Sequence, residues 1–294
     1  MPSAGKNSAR GFTLLEMLVT LAILSLISVV LAGMSAEVGR GYGISQNETD
    51  RRMAIRTVLD YMAKELRIAS LALNQNSAIS QGKGTLEMLI SPAVLGTPPN
   101  SMNCPDSVFW QAPIATDGQA KGEMAEVGYF IRWSSGQASL CRFFVNPSDT
   151  TNYLVYSNPS NWLSVGLLNS VAPSDHADSY RGLFLDNVLG LWVQASPDPN
   201  LSGTAYTKPY DSSLPQTPGH PLPASITISL VVLDAPSAIR FQNANAGAGS
   251  SPPAAISTLY GDTPQTFADN VNAMSLVKGG ATVVSTSVSM ANYR

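Results

Sequence analysis

The sequence has few of the residues on which most enzymes and nucleic-acid-binding proteins depend. Only 13% of its 294 residues are charged, it contains two cysteines and two histidines, and its formal net charge is −3. A mildly acidic chain does not offer the basic surface that neutralises nucleic-acid phosphates, so we expect no nucleic-acid partner. The low charge is typical of an exported, loop-rich β protein rather than of a helical cytosolic enzyme.

The motifs of common catalytic and metal sites are missing as well. His176 and His220 both lie in predicted loops, and neither has a second metal ligand three or four residues further on. The sequence contains no His-Glu-x-x-His, no Cys-x-x-Cys and no Gly-x-Ser-x-Gly pattern. A membrane-anchored enzyme would need such a set of residues. We therefore predict that the protein is not an enzyme and has no cofactor.

What the sequence does contain is a long apolar run near its N-terminus. The run from Phe12 to Ala32 is interrupted by only five polar residues, namely Thr13, Glu16, Thr20, Ser25 and Ser28. About 20 apolar residues suffice to cross the hydrocarbon of a bilayer as a helix. Serine and threonine are tolerated there because their hydroxyls can bond to the helix's own carbonyls. A carboxylate at that depth needs a partner or a function, so Glu16 calls for an explanation.

Three interpretations of this run compete. Lys6 and Arg10 precede it without any acid, which predicts a cytoplasmic leader and a body outside the membrane. A cleaved secretory signal would have an apolar core of about 7–15 residues and then a small-residue site, whereas this run is longer. A plain signal anchor fits the length but does not account for Glu16. The third interpretation is a prepilin-type leader, which is cut on the cytoplasmic side so that the apolar run is kept.

The residues around the start of the run favour the third interpretation. The segment Gly11-Phe12-Thr13-Leu14-Leu15-Glu16 resembles the processing signal of type IV pilins and type II secretion pseudopilins. The resemblance implies that prepilin peptidase cuts between Gly11 and Phe12 and methylates the new Phe12 amine. Glu16 would then be an assembly residue that pairs with the Phe12 amine of a neighbouring subunit. A paired carboxylate is tolerable where a lone one is strongly unfavourable.

The resemblance also implies a domain organisation and a set of partners. We predict a cleaved leader at 1–11, a transmembrane assembly helix at 12–33, a stem helix at 34–73 and a β-rich head at 74–294. The partners would be other pilins or pseudopilins in a filament, prepilin peptidase and the bacterial inner membrane, with the head in the periplasm. Apolar residues at spacings of three and four predict the buried face of the stem; they are Ile55, Val58, Met62, Leu66 and Ala69. Glycines from Gly39 to Gly43 predict a loosened helix there.

The remainder of the chain predicts mainly antiparallel strands. Alternating residues at 126–133 and 140–145 flank the turn segment Ser134-Ser135-Gly136-Gln137, which predicts a hairpin. Further strands are predicted at 225–233 and 282–290, and Thr263-Pro264 predicts a helix start. Residues 183–193 fit either a buried strand or a short helix. The predicted class is α+β, a pilin-like fold in which a long N-terminal helix packs on an antiparallel β-rich head with long loops.

Weaker similarities bear on the type of subunit. Leu222–Ile226 and the terminal Ser287–Arg294 resemble segments of J-type and W-type minor subunits, and Leu230–Arg240 resembles the C-type protein of verrucomicrobial pseudopilin cassettes. They imply a minor pseudopilin, with a pilus-borne adhesin or DNA-uptake minor pilin as the alternative. Some pseudopilins bind calcium. The acidic residues that could supply oxygen ligands here do not have EF-hand spacing; they are Asp106, Asp117, Glu123 and Glu126.

The two cysteines and the tryptophans give further expectations for the head. Export predicts an oxidising compartment and hence a disulfide between Cys104 and Cys141, although two buried thiols remain the alternative. Trp133 alternates with valine and isoleucine, so we expect it in the core. Trp162 follows Pro-Ser-Asn and is the tryptophan that we expect to form an exposed contact.

Overall fold

The computed structural model consists of helices and antiparallel strands and describes most of the chain. The described residues are 14–69, 87–96, 102–115, 124–149, 151–155, 162–169, 182–197, 205–212 and 223–290, without the side chains of 30–48, 50 and 183. The chain divides into two compact units, Met1–Met53 and Ala54–Arg294. The expected boundaries at residues 11, 33 and 73 remain predictions.

The first element is the long helix α1, Leu14–Arg67. Its predicted apolar stripe is confirmed, because Ile55, Val58, Met62 and Leu66 are all buried. The charged residues Arg56, Asp60, Lys64 and Arg67 are exposed, as their spacing predicts. The loosening expected at Gly39–Gly43 is wrong, since the backbone is helical there. A glycine costs a helix only about 1 kcal/mol relative to alanine, so a few glycines need not break it.

Within the described residues, nine strands follow in two antiparallel sheets. The six-stranded sheet has the order β5-β4-β3-β2-β1-β7 and the three-stranded sheet the order β6-β8-β9. Their bounds are β1 Met88–Ile90, β2 Val108–Ala112, β3 Ala125–Ser134, β4 Gln137–Val145, β5 Gly182–Asp186, β6 Val188–Ser196, β7 Tyr210–Asp211, β8 Ser225–Leu233 and β9 Ala281–Ser289. The segment left open at 183–193 thus forms two strands, and Asn187 with φ 62° turns the chain between them.

The predicted hairpin is confirmed as β3 and β4. Ser135 and Gly136 have φ 48° and 77°, the left-handed pair that a tight two-residue turn needs. The ring of Phe109 on β2 packs directly over Gly128 on β3. A Cβ there would fall 2.1 Å from a ring carbon of Phe109 on β2. The strand therefore needs a glycine where the sequence pattern alone shows only an interruption.

Two hydrophobic clusters cover opposite faces of the six-stranded sheet. Alternate residues of β3 show the division, since Tyr129, Ile131 and Trp133 belong to the first cluster and Phe130 belongs to the second. The first cluster also contains the buried stripe of α1 from Ile55 onward and the inner residues of β6 and β8. The predicted core position of Trp133 is confirmed by an exposure of 1%. The second cluster is smaller and contains Phe109, Phe143 and Trp162.

Four shorter α-helices and a 3-10 helix at Ala93–Leu95 complete the described chain; the α-helices are α2 Val165–Asn169, α3 Ala235–Ala244, α4 Ala254–Ser257 and α5 Pro264–Ala273. The predicted helix start at Thr263 is confirmed, since its side chain accepts from the Thr266 N–H. By contrast, the sequence did not predict α3 after β8. Asp234 caps it by accepting from the Ser237 N–H, and Pro236 follows in the first turn. The predicted α+β class with an antiparallel β-rich head is confirmed.

Candidate functional site

The N-terminal part of α1 carries the strongest functional signal, because its apolar side chains are exposed on every side. Between Leu14 and Val29 the large apolar residues have exposures from 48% at Ile27 to 80% at Leu14. They are Leu14, Leu15, Met17, Leu18, Val19, Leu21, Ile23, Leu24, Leu26, Ile27 and Val29. A helix that is apolar all round needs an apolar environment, which only lipid or other protein subunits can supply.

The hydroxyls in this segment are satisfied inside the helix itself. Thr20 Oγ1 donates to the carbonyl oxygens of Glu16 and Met17, both at 2.9 Å. Ser25 Oγ donates to Ala22 O and Ser28 Oγ to Leu24 O, each at 2.8 Å. The expectation that these polar residues bond to helix carbonyls is therefore confirmed. They add no exposed donor that an apolar environment would penalise.

Glu16 is the acidic residue in the first turn of α1, and it is exposed. A carboxylate in this position interacts favourably with the positive end of the helix dipole. The predicted cleavage pair, Gly11 and Phe12, lies outside the described residues. Within the part of the chain that the structure describes, no helix reaches the length and apolarity of a membrane span.

The head contains a buried ion pair that the sequence did not reveal. Arg142 on β4 and Glu65 on α1 contact each other at 2.5 Å between Nη2 and Oε1. The Tyr129 hydroxyl donates to Glu65 Oε2, also at 2.5 Å. Burial alone would lower the pKa of Arg142, but the hydrogen bond and charge of Glu65 raise it above its ordinary value. Strand alternation places Arg142 on the same face as Leu140 and Phe144, which is the signal that could have indicated a buried partner.

An open cavity of about 570 Å³ lies beside this ion pair. It is lined by Tyr61, Lys64, Glu65, Arg67, Ile68, Ile114 and Arg142. Glu65 and Arg142 are occupied with each other, and burial is the main cause that raises the pKa of Tyr61. Among the described residues, the lining contains no thiol, imidazole or serine hydroxyl. The cavity is a structural junction between α1 and the sheet.

Asp106 is a second buried polar centre, and it joins the two sheets. Its Oδ1 accepts from Ser91 Oγ at 2.8 Å, and its Oδ2 accepts from the Val193 N–H on β6 at 2.8 Å. The Lys208 ammonium forms an ion pair with the same Oδ2. Each carboxylate oxygen of Asp106 therefore has a structural partner, which weighs against its use as a calcium ligand.

The other acidic residues considered for calcium do not form a site within the described chain. Glu126 is fully buried, and its Oε1 accepts from the Leu154 N–H at 3.0 Å. Burial raises the pKa of Glu126 to about 8, so it is mainly a neutral acid at pH 7. Asp117 and Glu123 lie outside the described residues. Among the described residues, no three acidic, histidine or cysteine side chains come together as metal ligands would.

The predicted disulfide is not formed, and Cys104 and Cys141 are both buried thiols. Cys104 packs in the first cluster and Cys141 in the second, so the six-stranded sheet lies between them. Burial raises the pKa of each thiol to about 12. Thiols with such pKa values are unreactive near neutral pH, because the thiolate is the nucleophile. The expected pairing fails because strand alternation directs Cys141 to the face opposite Cys104.

The exposed contact expected at Trp162 is also wrong. Trp162 has an exposure of 1%, and its Nε1 donates to Glu87 Oε1 at 2.5 Å. A buried carboxylate thus satisfies the only polar atom of the indole. Nothing in the sequence near Trp162 identifies Glu87, which lies far away along the chain, as its partner.

Comparison with known families agrees with the N-terminal pattern. Residues 6–32 match the prokaryotic N-terminal methylation motif, which includes the Gly11–Glu16 segment. The match supports a type IV pilin-like protein with a prepilin-type N-terminus. The α+β architecture described above is consistent with a pilin-like fold. No curated protein is similar enough to the chain to count as a match.

Proposed function

We propose that this protein is a minor pseudopilin, a structural subunit of a type II secretion or type IV pilus-like filament. The observation that carries the proposal is the methylation motif at residues 6–32, which continues into a helix with exposed apolar side chains on all sides. Such a helix is suited first to the inner membrane and then to the apolar centre of a filament. The head would lie in the periplasm before assembly.

Processing would create the assembly site. Cutting between Gly11 and Phe12 leaves Phe12 as the first residue, and methylation of its amine would follow. Glu16 is then the fifth residue of the mature chain, and it lies in the first turn of α1. In a filament, its carboxylate would pair with the Phe12 amine of an adjacent subunit. A misplaced subunit would leave a charge buried without its partner, which is strongly unfavourable and therefore selects the correct register.

A structural role also suits the head. Its buried polar side chains join elements of the fold, as Glu65 joins α1 to β4 and Asp106 joins the two sheets. The two thiols are buried and weakly acidic. The head would therefore act through its surface, by contacting other minor subunits or secreted cargo. We propose no catalytic step.

Mass spectrometry of the mature N-terminus tests the proposal. The full chain is produced with and without prepilin peptidase, and its N-terminal peptide is sequenced. We expect the peptide to begin at methylated Phe12 only when the peptidase is present. The variant Gly11→Val, which adds bulk beside the cut, should keep Met1. An intact N-terminus with active peptidase, or a cut beyond residue 30, would refute the proposal.

A second arm of the same experiment concerns assembly. Filaments are sheared from cells that produce the processed chain or the Gly11→Val variant, and both fractions are probed for the protein. We expect the processed chain in the filament fraction and the variant only in the membrane fraction. Equal amounts of the processed chain and of the Gly11→Val variant in the filament fraction would show that processing does not control assembly.

A further inference from the structure

The outer edge of the three-stranded sheet carries a row of free backbone groups. β9 pairs with β8 over its full length, from Ser225–Ser289 to Leu233–Ala281, and the register has no shift. In the described chain β9 has no other neighbouring strand, so it is an edge strand. An edge strand presents N–H and C=O groups at the spacing that another extended strand would bind.

The hydrogen bonds define which residues of β9 direct their backbone N–H and C=O groups outward, away from β8. The Leu233 N–H donates to Asn187 O at 2.9 Å, on the side of β8 that faces away from β9. Ala281 lies opposite Leu233 in the register, so the backbone N–H and C=O of Ala281 point away from β8. The Met290 N–H donates inward to Ala224 O at 2.9 Å. Because backbone direction alternates along a strand, the outward-bonding residues are the odd-numbered ones. After Ala281 they are Val283, Ser285, Ser287 and Ser289.

One outward position already has a partner that imitates a strand. The Asn272 side chain accepts from the Ala281 N–H at 2.8 Å and donates to Ala281 O at 2.9 Å. An amide side chain offers the same donor and acceptor as a peptide unit, so Asn272 terminates the edge at that end. The backbone groups of the four later outward residues have no corresponding bond in the described chain. A free stretch from Val283 to Ser289 remains.

This free stretch has none of the features that usually protect an edge strand. Residues 281–289 read Ala-Thr-Val-Val-Ser-Thr-Ser-Val-Ser, with no lysine, no proline and no charge of either sign. The register with β8 contains no bulge. Natural proteins use those features to prevent strand addition. In addition, Val284 and Thr286 are only half-buried at the margin of the inner face, where a further strand would cover them.

We propose that β9 is an interaction surface for a second copy of this chain, with the two β9 strands antiparallel and centred on Thr286. In this register Ser285 bonds with Ser287 of the second copy, and Val283 bonds with its Ser289. Between these pairs, Val284 meets Val288 of the second copy and Thr286 meets its own counterpart. Valine–valine and threonine–threonine neighbours are favourable across strands, and no like charges face each other. The strand is therefore complementary to itself.

The register predicts which single cysteine will form a disulfide between copies. Residues at a pair without mutual backbone bonds have their side chains closest, and Thr286 meets its counterpart at such a pair. The full-length variant Thr286→Cys is produced in membranes, treated with a mild oxidant and run on a non-reducing gel. We expect a band at twice the monomer mass that disappears on reduction. The unchanged chain should give no such band, because Cys104 and Cys141 are buried.

Thr282→Cys is the matched control, since Thr282 is exposed on the same strand. In the proposed register its counterpart is about 27 Å away, so no dimer band should form. A second variant, Ser285→Lys combined with Thr286→Cys, places a charge on the edge and should lose the band.

Several results would overturn the proposal. One is a Thr286→Cys chain that labels with a maleimide but stays monomeric under oxidation. Others are a cross-linked product of another mass, a dimer band from Thr282→Cys, or a band that persists when Ser285→Lys is added to Thr286→Cys. The inference does not rest on filament function.

Discussion

Glu65 on α1 and Arg142 on β4 form an ion pair with side-chain exposures of only 7% and 2%. Both charges have further partners, because the Tyr129 hydroxyl donates to Glu65 Oε2 and the guanidinium lies 4.4 Å from the centre of the Phe144 ring. A buried ion pair is tolerable when its hydrogen-bonding capacity is used in this way. The pair fixes the C-terminal part of α1 to β4 of the six-stranded sheet.

Removing one partner of this pair should be strongly destabilising. We expect Arg142→Met to lower the free energy of unfolding by about 3–5 kcal/mol, since Glu65 would remain buried beside apolar groups. The double variant Glu65→Leu with Arg142→Met should recover a large part of that loss, because no charge is left behind. Urea denaturation of the detergent-solubilised chain, followed by tryptophan fluorescence, measures both. Lys64→Met, at an exposed neighbouring position, should change stability by less than about 0.5 kcal/mol. A similar loss in the single and double variants would contradict the explanation.

The two cysteines should behave as protected thiols rather than as a disulfide. Burial raises the pKa of both to about 12, and they lie in clusters on opposite faces of the six-stranded sheet. We expect slow alkylation of the native protein at pH 8 and rapid alkylation of both thiols in denaturant without any reductant. Mass spectrometry counts the labels. A denatured, unreduced chain that takes up no label would show that the cysteines are bonded after all.

Glu126 should make stability depend on pH. Burial raises its pKa to about 8, although the N–H groups of Leu154 and Val155 lower it and the charge of Asp149 adds to the rise. The folded chain therefore holds a proton that the unfolded chain releases above about pH 4.3, so stability falls as pH rises from there to 8. Above pH 8 this contribution no longer changes with pH.

Glu126→Gln isolates this contribution because glutamine keeps the acceptor for the Leu154 N–H but does not ionise. The free energy of unfolding of the variant should exceed that of the unchanged chain by an amount that depends on pH. We expect this difference to grow by roughly 3 kcal/mol from pH 5 to pH 8. Urea denaturation at several pH values gives the difference between the two proteins. A difference that stays constant over this range would mean that Glu126 is ionised in the folded chain.

Local patterns predict the elements of this fold well. The stripe from Ile55 to Leu66 and the Ser135-Gly136 hairpin follow directly from periodicity and turn chemistry. The helix after β8 is harder to predict because its cap, Asp234 followed by Pro236, comes directly after a strongly apolar strand. The sequence pattern there resembles a continuing strand and tail. The sequence contains both the apolar strand pattern and the helix cap, and the prediction gave the strand pattern the greater weight.

Long-range polar partners could not be predicted from the sequence. Glu65 and Arg142, or Glu87 and Trp162, are far apart along the chain and meet only in the folded head. The disulfide expectation failed for the same reason, since a cysteine count contains no information about the faces of a sheet. In contrast, the processing signal lies within a few adjacent residues. It could therefore be recognised without any knowledge of the fold.

Glu16 provides the most direct test of assembly. Its carboxylate lies in the first turn of α1, among exposed apolar side chains. In the proposed filament its partner is the Phe12 amine of the next subunit. We expect Glu16→Leu to leave membrane insertion unchanged, because the segment becomes more apolar, while incorporation into filaments falls sharply. The measurement is the ratio of protein in sheared filaments to protein in membranes.

Thr20→Ala is the control on the same helix. The Thr20 hydroxyl bonds to carbonyls of its own helix, so its removal should change neither insertion nor incorporation. Glu16→Gln separates charge from shape, since glutamine can accept a hydrogen bond but cannot neutralise an amine. We expect it to be as defective as Glu16→Leu. Incorporation of both Glu16 variants at the level of the unchanged chain would show that the carboxylate has no part in assembly, and contact among apolar side chains would then be sufficient.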